Sequence, residues 1–318
     1  MLLLMGMFAC GSTKIRKTVA VHNYLLEMNQ KGELNGNILI QNGKKVIYEH
    51  SIGISEGESK KLLQSSDSFN IGSVSKEFPA VAIMQLVEKN KLSVTDPISK
   101  FVKLPHWSNE VCIENLLHYS SGLPRISWGK SPLVNKESLL TELNTIENLN
   151  FEPGSDYLYT NYSPFLLTQI IEALDGRSFE QYAQEEILEP VKMGDTFFQN
   201  EFPFINTNRM ATPFNEAFEA DKTPFKIQIP TVLLSTTTSD LNKYLNALHD
   251  GEIISQESIH FLGRTADVAN DDLQSPLGNL KIENGRVKQH WHHGSSGNYE
   301  CLLSYYSEKR LNIIILTS

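Results

Sequence analysis

The stretch Phe69-Asn70-Ile71-Gly72-Ser73-Val74-Ser75-Lys76-Glu77-Phe78-Pro79-Ala80-Val81-Ala82-Ile83-Met84-Gln85-Leu86 sets Ser73 and Lys76 three residues apart, just after a glycine and at the mouth of an apolar helix. Three residues is nearly one helical turn, so the hydroxyl and the amine share a face and can meet. A serine hydroxyl is a poor nucleophile at neutral pH unless a base takes its proton, and a desolvated, neutral lysine can serve. The free N–H groups and positive dipole at the helix start would favour an oxyanion developing beside Ser73. Val81, Ala82, Ile83, Met84, Leu86 and Val87 make the helix apolar almost all round. That places it in the interior, where burial lowers the pKa of an amine such as Lys76. In isolation the same spacing also fits a serine cap followed by a solvated lysine. Pro79 costs the helix roughly 3 kcal/mol unless it falls in the first turn or at a kink.

The 318 residues, 40% hydrophobic and 20% charged, describe an ordinary globular protein able to bury a substantial core. A net charge of −9 and a pI near 5.5 argue against nucleic acid or an anionic membrane surface as the main partner. Met1-Leu2-Leu3-Leu4-Met5-Gly6-Met7-Phe8-Ala9-Cys10-Gly11-Ser12 is short, apolar and ends in small residues around a cysteine. It resembles the end of a bacterial lipoprotein signal, with Cys10 as the lipidated residue, although no basic residue precedes the apolar run. Thr13 to Lys17 then reads as a polar tether, and no later stretch is long enough to span a bilayer. Cys112 and Cys301 read as two buried thiols rather than a disulfide.

Periodicity predicts an amphipathic helix over Thr18 to Asn29 and a hairpin of Gly36 to Gln41 with Lys45 to His50 around Asn42-Gly43. Helical patterns follow at Ser138 to Ile146, Ser163 to Leu174 (a Ser cap with Pro164 at its first position), Ser178 to Leu188 and Ser239 to His249. A long loop is expected from Ser121 to Ser131 and a loop-rich stretch from Met193 to Ile229. Strands return at Leu277 to Ile282, Gln289 to His292, Tyr299 to Tyr306 and Leu311 to Thr317. The expected class is α+β, an α/β sandwich: an antiparallel sheet closed by both chain ends, flanked by the N-terminal helix, with a mostly helical lobe inserted. Residues 1–16 would be signal and tether. Residues 17–318 would form one domain, its sheet lobe about 17–74 and 213–318 and its helical lobe about 75–212, with a cleft between them.

Three motifs stand in order: Ser73-x-x-Lys76; Tyr159-Thr160-Asn161 after Phe151-Glu152-Pro153-Gly154; and His292-His293-Gly294. With Leu116-Leu117-His118-Tyr119-Ser120-Ser121-Gly122-Leu123-Pro124, Pro190-Val191-Lys192-Met193-Gly194-Asp195-Thr196-Phe197 and Ser235-Thr236-Thr237-Thr238-Ser239-Asp240-Leu241, they cover nearly the whole chain after the tether. The set resembles the serine β-lactamase and penicillin-binding-protein superfamily, in its branch of class C β-lactamases, D-alanyl-D-alanine carboxypeptidases, D-aminopeptidases and related esterases. The resemblance implies a β-lactamase/transpeptidase-like fold and an acyl-enzyme on Ser73. Lys76 and Tyr159 would share the proton traffic, with either as the base. Asn161 would bind substrate and hold Lys76. His292, standing where relatives usually carry lysine, would help electrostatically when protonated, and Gly294 completes that motif. The backbone N–H groups of Ser73 and Ser295 would form the oxyanion hole, worth roughly 3 kcal/mol per donor. No metal or organic cofactor is implied.

The implied partners are a small-molecule or peptidoglycan-like substrate and a membrane reached through the lipid at Cys10, for an extracytoplasmic monomer. Two rivals remain open: a ligand-binding protein that acylates once, and a metal-dependent hydrolase using His290 and His292 on one strand face. Thr231-Val232-Leu233-Leu234 replaces a Gly-Gly frequent in relatives before Ser-Thr, and their C-terminal helix has no counterpart before Ser318.

Overall fold

The computed structural model describes residues 5–56, 60–126, 135–198, 209–215, 219–220, 232–269 and 273–318, with side chains in the first helix from residue 18 onward. In chain order, helix α1 (Met5–Gln30) leads into β1 (Gly36–Asn42) and β2 (Lys45–Ile52). Short strands β3 (Ile54–Glu56), β4 (Lys61–Leu62) and β5 (Phe69–Asn70) follow, and a 3-10 turn over Gly72–Lys76 runs straight into α2 (Glu77–Glu88). Then come α3 (Ile113–Leu117), α4 (Lys136–Asn144), α5 (Tyr162–Asp175) and α6 (Phe179–Ala183), the last continued by a wider turn over Gln184–Leu188. β6 (Phe197–Phe198), β7 (Leu234–Thr236), α7 (Thr238–Asp250) and α8 (Gln256–Leu262) lead to β8 (Asn279–Glu283), β9 (Arg286–Ser296), β10 (Tyr299–Tyr306) and β11 (Leu311–Thr317).

Six strands form one antiparallel sheet in the order β2-β1-β11-β10-β9-β8, with Gly36 opposite Thr317. The last strand of the chain therefore sits beside the first, in the sheet interior. A small second sheet, β5-β7-β6, braces the chain just ahead of Ser73. The alternation of β1 shows the two faces. Ile38 packs with Tyr48, Ile52 and Leu25 on the α1 side, while Leu39 joins the main core on the α7 side. On that second face Gln41, Asn312, Asn242 and Asn246 tie sheet to α7 through side-chain amide hydrogen bonds of 2.7–3.1 Å.

Helix α2 runs through the middle of the molecule. Phe78, Val81, Ala82, Ile83 and Leu86 are buried, and each large apolar side chain among them contributes about 1.5–3 kcal/mol by leaving water. Pro79 is the third residue of α2, so its missing N–H falls in the first turn, where no helical partner is lost. Three expectations need correction. The N-terminal helix extends upstream of Thr18, through the residues read as a tether. Ser163 does not cap α5, which begins at Tyr162 with Asn161 before it; Ser163 is buried inside the helix. Cys301 is buried, but Cys112 is only half-buried, and both are free. Parts of the two expected loops, residues 127–131 and most of 199–229, lie outside the described residues, as does the side chain of Cys10.

Candidate active site

Ser73 is presented by the Gly72–Lys76 turn rather than by the helix proper. Gly72 has φ +51, and a Cβ there would lie 2.5–2.6 Å from backbone atoms of Ser295. Only glycine tolerates both conditions. Gly294 makes the reciprocal contact: a Cβ would stand 2.1 Å from the Ile71 carbonyl oxygen and 2.9 Å from the amide nitrogens of Ser73 and Val74. Strand β9 thus lies directly against the serine turn, and the backbones expected to supply the two oxyanion donors abut at two glycines. Ser75, buried beneath, accepts the Leu234 N–H at 3.0 Å and fixes the turn to β7.

Two side chains converge on the Ser73 oxygen. Lys76 Nζ donates to Oγ at 2.8 Å, and the Tyr159 hydroxyl donates to it at 3.1 Å. Lys76 Nζ lies 5.0 Å from the centre of the Tyr159 ring, and Lys76 is 6% exposed. Tyr159 belongs to an irregular segment that is pinned rather than free. Leu158 N–H bonds the Tyr119 carbonyl at 2.9 Å, Thr160 Oγ1 donates to the Pro124 carbonyl at 2.7 Å, and the Tyr159 ring packs on Tyr119 with centroids 4.7 Å apart. The phrases around Ser121 and Tyr159 therefore brace one another.

Asn161 lies next in this segment, but its Oδ1 is buried without a hydrogen-bond partner. The bond to Lys76 expected from that oxygen is not formed.

From His290 to Ser295 strand β9 alternates: His290, His292 and Gly294 face inward, while Trp291, His293 and Ser295 face out. His292 does not project as a free cation. Its Nδ1 lies 2.7 Å from Glu77 Oε1, and burial lowers its pKa despite that carboxylate. His290 Nε2 reaches the same oxygen at 3.3 Å. Burial alone would raise the pKa of Glu77, but the charge of His290 and hydrogen bonds from both imidazoles hold it at about 2. His290 and His292 are thus gathered on a carboxylate, and the described residues contain no group of three or more His, Cys, Asp or Glu placed to hold a metal ion.

A cavity of about 590 Å³ opens over Ser73 and Tyr159, lined also by Arg125, Tyr157, Gln274, His293 and Ser295. His293 Nε2 and Ser295 Oγ both bond Glu300, at 2.6 and 2.7 Å. Glu77, Tyr119, Arg125, His293 and Glu300 were not foreseen as site residues. Glu77 is, by sequence, indistinguishable from an acid that complements the dipole of a first helical turn. His293 lines the cleft although strand alternation puts it on the side opposite His292, so its place could not be read from the expected role of His292. His118 ends α3 with its Nε2 3.2 Å from the Phe261 carbonyl, a structural contact. Asp240 is structural too, taking the Asp195 N–H and Thr196 hydroxyl at 2.8 and 3.0 Å.

The chain is 25% identical to penicillin-binding protein 4* of Bacillus subtilis (strain 168) over 317 residues, covering 92% of this chain and 69% of that protein. It is 25% identical to protein flp of Staphylococcus aureus (strain MW2), covering 91% of this chain but 60% of that longer protein. Among solved structures, the octameric penicillin-binding protein homologue from Pyrococcus abyssi superposes with a TM-score of 0.78 at 25% identity, over 94% of this chain and 72% of that one. The D-amino acid amidase from Ochrobactrum anthropi gives 0.76 at 19% identity, over 94% and 90%, a likeness of fold alone. The family model described as Beta-lactamase matches residues 21–318. The chain belongs to that family and has the β-lactamase/transpeptidase-like fold.

Proposed function

We propose that the protein is a serine hydrolase acting through an acyl-enzyme on Ser73. The observation that carries this reading is the meeting of Lys76 Nζ and the Tyr159 hydroxyl on one serine oxygen at the floor of an open cleft. As Ser73 Oγ bonds to an ester or amide carbonyl carbon, its proton passes to whichever of Lys76 and Tyr159 is deprotonated, and the carbonyl electrons move onto oxygen. The N–H groups of Ser73 and Ser295 stabilise that oxyanion. Its collapse expels the alcohol or amine, which takes the proton, and water then releases the acid and restores Ser73.

Relatives carry penicillin-binding names, and one structural neighbour is a D-amino acid amidase. We therefore place the substrate among D-amino-acid peptides, peptidoglycan fragments, β-lactams and small esters, met outside the cytoplasm. Lipid attachment at Cys10 belongs to the same reading. The described residues contain no helix long and apolar enough to cross a membrane.

The test is to treat the pure protein with a fluorescent penicillin or a fluorophosphonate and locate the adduct. Labelling at Ser73 with turnover of a simple ester supports the hydrolase. Labelling without release makes the chain a covalent binder instead. Activity that survives Ser73→Ala and dies with a chelator overturns the serine mechanism.

A further inference from the structure

Behind Ser73 lies a buried polar cluster that the proposed chemistry does not use directly. Glu77 is 0% exposed, as is His290, and His292 is 5% exposed. Glu77 Oε1 faces His292 Nδ1 and His290 Nε2, while Oε2 accepts the Tyr244 hydroxyl at 2.9 Å. Behind His290, its Nδ1 lies 3.0 Å from His249 Nε2, and the His249 ring stacks on Tyr305 with centroids 3.9 Å apart. One carboxylate thus joins α2, α7 and β9.

We infer that Glu77 is a positioning residue that fixes His292 in its Nδ1–H tautomer, leaving the Nε2 lone pair as an acceptor. The inference rests on the Ser73 reading and extends it.

Hydrogen-bond chemistry dictates the tautomers. An ionised carboxylate accepts and cannot donate. Each imidazole must therefore carry hydrogen on the nitrogen turned to Glu77, which is Nδ1 in His292 and Nε2 in His290. Between His290 Nδ1 and His249 Nε2, 3.0 Å apart, one nitrogen donates and the other accepts. Two ring hydrogens follow from one charge.

The direction of these bonds separates this arrangement from a proton wire. A wire needs donors all pointing one way, whereas donors here run into Glu77 from His290, His292 and Tyr244. The convergence satisfies a carboxylate that would otherwise be costly to bury. The charged or titratable groups facing His292 are Glu77 and Lys76 from the serine turn and α2, and His290 from its own strand. With Nδ1 committed to Glu77 and burial opposing a second ring proton, His292 offers a lone pair where relatives usually offer an ammonium.

The test uses the full chain, 15N-labelled. Long-range 1H–15N spectra at pH 7, assigned through loss of signals in His292→Asn, should show His292 neutral with hydrogen on Nδ1. An Nε2–H ring or an imidazolium overturns the inference. This readout needs no activity, so it stands even if Ser73 proves unreactive, a result that would sink the hydrolase reading separately. Kinetically, Glu77→Gln keeps the shape but not the charge. It should slow fluorophosphonate labelling of Ser73 at least tenfold at saturation, leave the half-saturating concentration nearly unchanged, and alter the pH profile between 5.5 and 8.5. Wild-type rate and profile in Glu77→Gln would refute the positioning role. Should that variant not fold, the wild-type spectrum alone decides.

Discussion

Lys76→Ala removes the group 2.8 Å from the Ser73 oxygen, and Tyr159→Phe removes the one 3.1 Å away. If both handle the serine proton, each should slow fluorophosphonate acylation by roughly a hundred- to ten-thousand-fold. Near-normal rates in either variant would cancel that residue's assignment. The two differ in what else they disturb. Tyr159→Phe keeps the ring on Tyr119 and should melt close to wild type, whereas Lys76→Ala also empties volume in a buried turn. At this scale Ser73, Lys76 and Tyr159 were legible because each sits in a short motif with its own chemistry. Glu77 was not. Its importance comes from partners more than 160 residues away, Tyr244, His290 and His292, and no local pattern distinguishes it from an acid that merely complements a helix dipole. The same distance hid the surroundings of His292: its position implied a charge, whereas burial lowers its pKa even though Glu77 opposes that shift.

Elements meet here through glycine. β9 approaches the serine turn closely enough that a methyl at Gly294 would press on backbone, which cannot rotate away as a side chain could. Gly294→Ala should therefore shift β9, cost about 1–3 kcal/mol, and slow Ser73 labelling at least tenfold. Gly194→Ala, where an added methyl meets nothing within 4 Å, is the control and should change neither. Labelling at the wild-type rate in Gly294→Ala would mean that the strand contributes nothing to the oxyanion site. The start of α7 offers a contrast. Thr237 Oγ1 accepts the Asp240 N–H at 3.2 Å, so Thr237→Ala should cost about 1 kcal/mol in urea unfolding while labelling continues unchanged; a large loss of labelling would instead tie this cap to the cleft. The hairpin and the terminal strands were readable to within a few residues, because side-chain alternation is a local signal. The boundaries at Ser73 and Ser163 were not. A 3-10 turn that passes directly into a helix carries no separate cap residue to mark the change.

For the molecule as a whole, the buried cluster joining sheet and helices makes stability depend on pH. Burial first, and the neighbouring His290 second, hold the pKa of His249 well below 6.5; burial does the same for His292, to a smaller extent. A histidine whose folded pKa lies below its unfolded value binds protons more readily when unfolded. Stability is therefore complete above pH 6.5 and falls as pH drops below it, by up to about 1.4 kcal/mol per pH unit for each group. Glu77 acts in the same sense lower down: with a folded pKa of about 2 against 4.5, its contribution is present above pH 4.5 and is lost as pH falls toward 2. Urea midpoints should thus be level above pH 7, decline from pH 6.5 to 5, and fall again below 4.5. His249→Gln should flatten the upper part of that decline, since it removes the more strongly shifted imidazole while Glu77 and His292 remain. A midpoint constant from pH 7.5 to 5 in the wild-type protein would show that these rings are hydrated or already protonated in the folded state, and the tautomer assignment at His292 would lose its electrostatic basis with it.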